Sequence, residues 1–184
     1  MKIKHSFIIF LTLCFCFAFT TSNFNNPPIK INSVNFSNLY KLNDSIYRSG
    51  QPHKKGMKEL EEMGIKTIVN LRNTKNDCKE AKSTQLKLIH IPINTWRMDY
   101  ADVVAGLKAI KAAEKPCLIH CWHGSDRTGV MIAANRMVNE NWTKEMAITE
   151  FKEKQFGYHE KWFPKLVNLL QDIDIEQIKK DIAQ

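Results

Sequence analysis

Strand-like apolar runs alternate with helix-like segments along most of this chain, and that alternation restricts the fold to the α/β class. The strand-like runs cover residues 45–48, 66–71, 88–93 and 117–120. Helical patterns are predicted at residues 54–63, 77–86, 99–114, 128–139, 143–156 and 159–184. Strands separated by helices favour a parallel sheet, because parallel neighbours need a crossover connection. We therefore predict one α/β domain with a mostly parallel central sheet of about four to five strands, flanked by helices.

The amino-terminal 22 residues are typical of an export signal. Lys2 and Lys4 precede an apolar run at positions 7–19, which is 13 residues long. A membrane-spanning helix needs about 20 such residues, so the run fits a signal core better than a span. Small residues up to Ser22 predict cleavage there. We expect an exported, periplasmic or secreted protein without stable membrane insertion, or an anchored one if the signal is not cleaved.

Residues 23–38 are rich in Asn, Ser and Pro, which predicts a linker before a domain at residues 39–184. The whole chain has 27 Lys and Arg against 19 Asp and Glu, a net charge of +8. A basic chain is a candidate for nucleic-acid binding. However, the lysines of the carboxyl-terminal helices alternate with acidic residues, as on solvated helix faces. We therefore expect no nucleic-acid partner, and we expect a monomer.

Cleavage near Ser22 would leave three cysteines: Cys78, Cys117 and Cys121. An odd number in an exported protein means that at least one thiol stays unpaired, which indicates a reactive cysteine. Three cysteines are also too few for a disulfide-dense scaffold. Attention therefore falls on Cys121, which directly follows the predicted strand 117–120.

The segment at residues 120–129 reads His-Cys-Trp-His-Gly-Ser-Asp-Arg-Thr-Gly. A loop between a strand and a helix points successive backbone N–H groups inward, and the helix dipole adds to this attraction for an anion. Gly124 permits a backbone conformation that other residues resist. A cysteine at the base of such a loop is stabilised as a thiolate, so Cys121 is the predicted nucleophile.

Two residues after the loop complete this chemistry. Arg127, six positions after Cys121, lies in the first helical turn and can direct two N–H donors at a phosphate. Thr128 places a hydroxyl near the sulfur, where it would help the thiolate leave in a second step. The arrangement holds a tetrahedral dianion against sulfur, which predicts phosphoryl transfer through a phospho-cysteine.

Residues 120–129 resemble the HCxxGxxR[ST]G signature of cysteine-dependent protein tyrosine and dual-specificity phosphatases. The segments 46–52 and 64–72 resemble the opening of small bacterial members of the dual-specificity group, so the resemblance covers about residues 39–140. It implies a protein tyrosine phosphatase-like fold, Cys121 as nucleophile and Arg127 as phosphate clamp. It also implies that His120 orients the loop, and that no metal or other cofactor takes part. The expected substrate is a phosphorylated protein or a small phosphate ester, bound by Trp122, His123, Gly124, Ser125, Asp126 and Arg127.

A phosphatase of this kind also needs a general acid, usually an aspartate on a separate loop. Asp99 and Asp102 follow the predicted strand 88–93, and Asp99, just before the helix, is the preferred candidate. Either residue would also serve as a helix N-cap. Asp126 is the alternative, because the Asp-Arg-Thr ending of the loop resembles that of myotubularin-type lipid phosphatases.

Four other functions remain open from the sequence. A phosphoinositide or inositol-phosphate phosphatase would use the same mechanism. A rhodanese-like sulfurtransferase has a related loop, but with one residue fewer between Cys and Arg. A phosphate-binding module without turnover would not need Cys121, Arg127 and Thr128 together. A metal site at His120, Cys121 and His123 would leave Gly124 unexplained and has no second pair of ligands elsewhere.

Overall fold

The computed structural model describes residues 27–184, so the predicted export signal lies outside the described residues. These residues form a six-stranded sheet in the order β1-β2-β3-β6-β4-β5. The strands are β1 (Ile29–Lys30), β2 (Tyr40–Lys41), β3 (Ile46–Ser49), β4 (Thr67–Arg72), β5 (Lys87–Ile93) and β6 (Cys117–His120). Strands β3, β6, β4 and β5 run parallel, whereas β1 and β2 are antiparallel additions at the β3 edge. The predicted α/β class is confirmed, and the two short edge strands bring the count to six.

Six α-helices of the described residues 27–184 flank the sheet. They are α1 (Lys54–Glu62), α2 (Tyr100–Ala112), α3 (Asp126–Asn139), α4 (Lys144–Lys152), α5 (Lys165–Asp172) and α6 (Ile175–Asp181). Within residues 27–184, none of the helices is long and apolar enough to cross a membrane.

The predicted helices differ from the structure in three places. Residues 77–86 form successive turns rather than a helix. The Asp77 side chain is hydrogen-bonded to Gln51 and His120, and the segment lacks the apolar stripe of an amphipathic helix. The helix predicted at 143–156 ends at Lys152, and Gly157 stops the short turn that follows, at φ +68°. The last predicted helix is two helices, which begin only after Pro164.

The two faces of the sheet bury separate cores, because successive strand residues point to opposite faces. Leu118 of β6 and Ile68 of β4 pack with Leu60 of α1 on one face. Ile119 and Val69, their chain neighbours, pack with helices α2 to α6 on the other. Strand β6 is therefore covered on both sides, which fixes the position of the residue that follows it.

Residues 27–38, the described part of the predicted linker, contact strand β2 and helix α1 of the domain. Ile29 and Lys30 pair with β2. The Ser33 hydroxyl and the Asn35 amide donate to Glu59 Oε2 at 2.9 and 2.6 Å. Ser33 and Asn35, two polar residues of the predicted linker, thus supply hydrogen bonds to helix α1.

Candidate active site

The nucleophile predicted from the sequence lies at the carboxyl end of the central strand. Cys121 directly follows β6, is 1% exposed, and precedes the loop that leads into helix α3 at Asp126. Strands β3 and β4, on either side of β6, end at the same edge of the sheet. Ligands of parallel sheets bind at this edge, and the start of helix α3 adds its dipole there.

Gly124 is required where the loop crosses the end of β3. Its φ is +74°, a conformation that side chains disfavour. A Cβ atom there would lie 2.4 Å from the Ser49 carbonyl carbon and oxygen, and 2.5 Å from the Gly50 nitrogen. The loop therefore packs against the neighbouring strand as closely as the backbone allows.

Arg48 supports the loop from beneath, a role that the sequence analysis missed. The side chain is 1% exposed, and Nη2 donates to the Gly124 carbonyl at 2.7 Å. Its guanidinium carbon lies 4.1 Å from the centre of the Phe156 ring, as in a cation–π contact. Burial lowers the pKa of Arg48 to about 10. The signal available in the sequence was an arginine at the end of the short predicted strand 45–48.

Asn38, in the predicted linker, contacts the same loop. Its amide nitrogen donates to the His123 carbonyl at 3.2 Å and to the Phe156 carbonyl at 2.9 Å. The adjacent Ser37 carbonyl accepts from the Gly50 N–H at 2.8 Å. The amino-terminal segment is thus part of the support of the loop.

His120 connects the nucleophile to a buried hydrogen-bond network. Its Nδ1 lies 3.1 Å from the Cys121 carbonyl oxygen, and its Nε2 lies 2.8 Å from Asp77 Oδ2. The Gln51 amide donates to Asp77 Oδ1 at 2.8 Å and accepts from Arg72 Nη1 at 2.8 Å. Asp77 was not among the candidates, since only the folded chain brings it within reach of His120.

Replacing Asp77 by asparagine should lower the free energy of unfolding by about 1–3 kcal/mol at neutral pH. Burial alone raises the pKa of Asp77, but the hydrogen bonds from His120 and Gln51 outweigh burial and lower it overall. Such a carboxylate stabilises the fold fully above its unfolded pKa, about 3.9, and less as pH falls through the lower folded value. The difference between wild type and variant should therefore shrink at acid pH, as measured by urea unfolding.

Asp172, an exposed carboxylate, supplies the matched control. Asp172→Asn should change the free energy of unfolding by less than about 0.5 kcal/mol at any pH. A difference for Asp77→Asn that stays constant down to about pH 3 would show that the carboxylate charge is not the cause.

A cavity of about 410 Å³ opens at this edge of the sheet. Its wall contains the aromatic side chains Trp122, Trp162 and Phe163. The charged and titratable groups around it are Arg72, Arg127, His123, Asp126 and His159. Of the residues predicted to bind substrate, Gly124 and Ser125 are buried in the loop behind the cavity, and the other four line it.

Arg127 is held at the floor of the cavity. Its Nη1 donates to the carbonyls of Leu71 at 3.3 Å and Ile93 at 3.1 Å, at the ends of β4 and β5. Within residues 27–184, two buried polar atoms of this helix start lack a partner, Arg127 Nε and Thr128 Oγ1. Buried polar atoms are rarely left unpaired, so their presence here is consistent with a site built for a polar ligand.

The structure separates the three candidates for the general acid. Asp99 and Asp102 cap helix α2 together: the Asp102 N–H donates to Asp99 Oδ1 at 3.1 Å, and the Asp99 N–H to Asp102 Oδ2 at 3.2 Å. Neither residue lines the cavity, whereas Asp126 does. The preference for Asp99 therefore has no support in the geometry, and the cap explains its position.

The three described cysteines are all unpaired. Cys78 is exposed and Cys117 is buried, and burial raises the pKa of the Cys117 thiol.

Within the described chain, the group of three residues that could ligate a metal is His123, Asp126 and His159, with ligand atoms within 4.8 Å of one another. It differs from the set considered from the sequence, since His120 is bonded to Asp77 instead.

The fold and the cysteine loop are those of the cysteine-dependent, dual-specificity phosphatase family. Residues 20–162 match the model of the family PTP-NADK, described as DSP-PTPase phosphatase fused to NAD+ kinase, and the chain belongs to this family. The resemblance inferred from residues 120–129 is thereby confirmed.

Two curated proteins show the range of relatives. The dual specificity protein phosphatase TpbA of Pseudomonas aeruginosa is 32% identical over 122 residues, 65% of this chain and 56% of TpbA. The chain thus spans little more than half the length of that relative. The inositol diphosphatase DSP5 of Arabidopsis thaliana is 28% identical over 171 residues, 85% of this chain and 78% of DSP5.

A crystal structure of P. aeruginosa TpbA in complex with pTyr has a similar fold. It superposes with a TM-score of 0.76 at 26% sequence identity, covering 90% of this chain and 99% of the TpbA chain.

Proposed function

We propose that this protein hydrolyses phosphate monoesters of the phosphotyrosine type in proteins, through a phosphorylated Cys121. The observation that carries the proposal is the position of Cys121, buried between the end of β6 and the start of α3, with Arg127 on the adjoining cavity floor. Export of the protein, from the pattern of residues 1–22, and action as a monomer are part of the proposal.

The proposed reaction has two steps. The Cys121 thiolate attacks phosphorus, the phosphorus–oxygen bond to the leaving group breaks, and the leaving oxygen takes the electron pair and a proton. Water then attacks the phospho-cysteine, and the sulfur leaves as a thiolate with inorganic phosphate as product. The loop N–H groups and Arg127 stabilise the equatorial oxygens in both steps, and the Thr128 hydroxyl supports the departing thiolate.

The cavity wall favours an aromatic leaving group over an inositol diphosphate. Trp162 is 65% exposed, so its ring is available to stack against a phenyl ring. Trp122 is 53% exposed, and Arg72 covers one of its faces at 4.2 Å from the ring centre, which leaves the other face for substrate. Among the lining residues that the structure describes, the permanently charged cations are Arg72 and Arg127. An inositol ring with several phosphates would find two fixed positive charges in this cavity.

A second cavity, of about 330 Å³, continues from the first and suits the residues that flank a phosphotyrosine. The two cavities share Trp162 and Phe163, and the second adds Trp96 and two lysines, Lys161 and Lys165. No salt bridge of the described chain involves either lysine, so acidic residues of a peptide could pair with them. A phosphate ester too small to extend from the first cavity into the second would not contact these lysines.

A comparison of substrates tests the proposal. We expect a phosphotyrosyl peptide to be turned over with a higher kcat/KM than an inositol diphosphate. We also expect Trp162→Ala to lower kcat/KM for the peptide about 5-fold, since a lost aromatic contact costs about 1 kcal/mol. Turnover of a small alkyl phosphate should not change.

Val34→Ala, at a fully exposed apolar residue outside both cavities, is the control and should leave kcat/KM for the peptide at the wild-type value. Faster turnover of the inositol diphosphate, with no effect of Trp162→Ala, would instead favour the inositol-phosphate activity that DSP5 is named for.

A further inference from the structure

Two cavity residues, Asp126 and His159, form a hydrogen-bonded pair. His159 Nδ1 lies 2.9 Å from Asp126 Oδ2 and 3.2 Å from Oδ1, and the His159 backbone N–H donates to Oδ1 at 3.0 Å. Asp126 begins helix α3, one residue before Arg127, and is 6% exposed. The His159 side chain is 41% exposed and lines the cavity.

The pairing with Asp126 engages one ring nitrogen of His159, Nδ1, and leaves the other, Nε2, available to a ligand of the cavity. An ionised carboxylate can only accept hydrogen bonds, so Nδ1 carries a hydrogen toward Asp126. The other ring nitrogen, Nε2, has no hydrogen-bond partner in residues 27–184. A protonated His159 would thus be held by its ion pair and would have its second proton free for a molecule in the cavity.

We propose that His159, positioned by Asp126, donates the proton to the leaving oxygen, the task first assigned to Asp99. The inference rests on the proposed phosphatase function. As Sγ of Cys121 bonds to phosphorus and the phosphorus–oxygen bond breaks, the proton moves from Nε2 to the leaving oxygen, which departs as the phenol or alcohol. In the second step the neutral imidazole takes a proton from the attacking water, while the phosphorus–sulfur bond breaks and its electron pair returns to Sγ.

Other groups near the cavity are less suited to this role. Asp126 itself is nearly buried and its oxygens accept from His159. The centres of the His123 and His159 rings lie 5.1 Å apart. Burial is the main cause that lowers the pKa of His123, and repulsion from His159 lowers it further. Asp99 is engaged in the cap of α2.

Charged groups of both signs surround the Asp126–His159 pair. Arg127 and Arg72 share the cavity with His159, opposed by the carboxylate of Asp126. The immediate chain neighbours of His159 are Tyr158, whose hydroxyl donates to the Phe163 carbonyl, and Glu160, which is paired with Lys152. Lys161 follows, and the ring of His123 lies beside that of His159.

His159→Gln should separate substrates by the quality of their leaving group. Phenyl phosphate needs its leaving oxygen protonated, so we expect kcat/KM to fall about 100-fold. The leaving group of nitrophenyl phosphate, nitrophenolate, is a weak base that departs without being protonated. The kcat/KM for this substrate should therefore stay within about 3-fold of wild type.

Asp126→Asn should show the same selective loss, because the positioning carboxylate becomes a neutral amide. His53→Gln, at an exposed histidine outside the cavity, is the control and should behave as wild type with both substrates. Retained turnover of nitrophenyl phosphate also shows that a variant is folded.

Two results would overturn the role of His159. One is an unchanged ratio of phenyl to nitrophenyl turnover in His159→Gln. The other is a selective loss for phenyl phosphate in Asp99→Asn, a change that keeps the helix cap because asparagine caps as well as aspartate. If the wild-type protein hydrolysed neither phenyl phosphate nor nitrophenyl phosphate, that result would instead contradict the proposed phosphatase function.

Discussion

Cys121→Ser should lower kcat for a phosphotyrosyl peptide by about 10⁴-fold or more, the scale seen when an enzyme loses its nucleophile. A serine hydroxyl is a poor nucleophile unless a neighbouring base activates it, whereas a cysteine sulfur is intrinsically strongly nucleophilic. The replacement is nearly isosteric at a site that is 1% exposed, so the cavity should keep its shape. Phosphate release measures turnover, and peptide binding should persist.

The phospho-cysteine gives this experiment a second readout. Wild-type protein quenched in acid during turnover should carry a phosphoryl group on the peptide that contains Cys121, and the serine variant should carry none. Cys78→Ser, at an exposed cysteine, is the matched control and should match wild type in both measurements. Turnover that persists in Cys121→Ser would eliminate the mechanism.

Arg127→Lys should lower kcat/KM by about 10²- to 10³-fold although the charge is kept. Nη1 of Arg127 is fixed by the carbonyls of Leu71 and Ile93, which leaves the rest of the planar guanidinium aimed into the cavity. A lysine ammonium is a single point charge and cannot reach both carbonyls while donating two parallel hydrogen bonds to a phosphate.

The loss in Arg127→Lys should appear mainly in kcat, because the charge that attracts the substrate remains while the geometry for the transition state is lost. Arg97→Lys, at an exposed arginine that does not line the cavity, is the control for the substitution itself. A rise in KM with unchanged kcat would mean that Arg127 only attracts substrate, contrary to a clamp on the transition state.

The parts that were predicted correctly depend on local pattern. The strand before Cys121, the glycine in the loop and the helix after it follow one another in the chain, so short-range propensities suffice. The supporting residues Arg48 and Asp77 could not be predicted, since their partners lie 76 and 43 positions away. Asp99 was preferred because its place before a helix fits both a cap and a catalytic loop, and only the folded chain separates these roles.

The contacts of Ser37 and Asn38 with the loop segment also determine where the domain can be cut. A fragment that starts at Leu39, the boundary suggested by composition, would lack the Asn38 amide that holds the His123 and Phe156 carbonyls and the Ser37 carbonyl that holds Gly50. It would also lack the edge strand Ile29–Lys30. The domain therefore begins before Ile29 rather than at Leu39. A fragment that starts at Leu39 should lose this support of the loop although it keeps every residue proposed for catalysis.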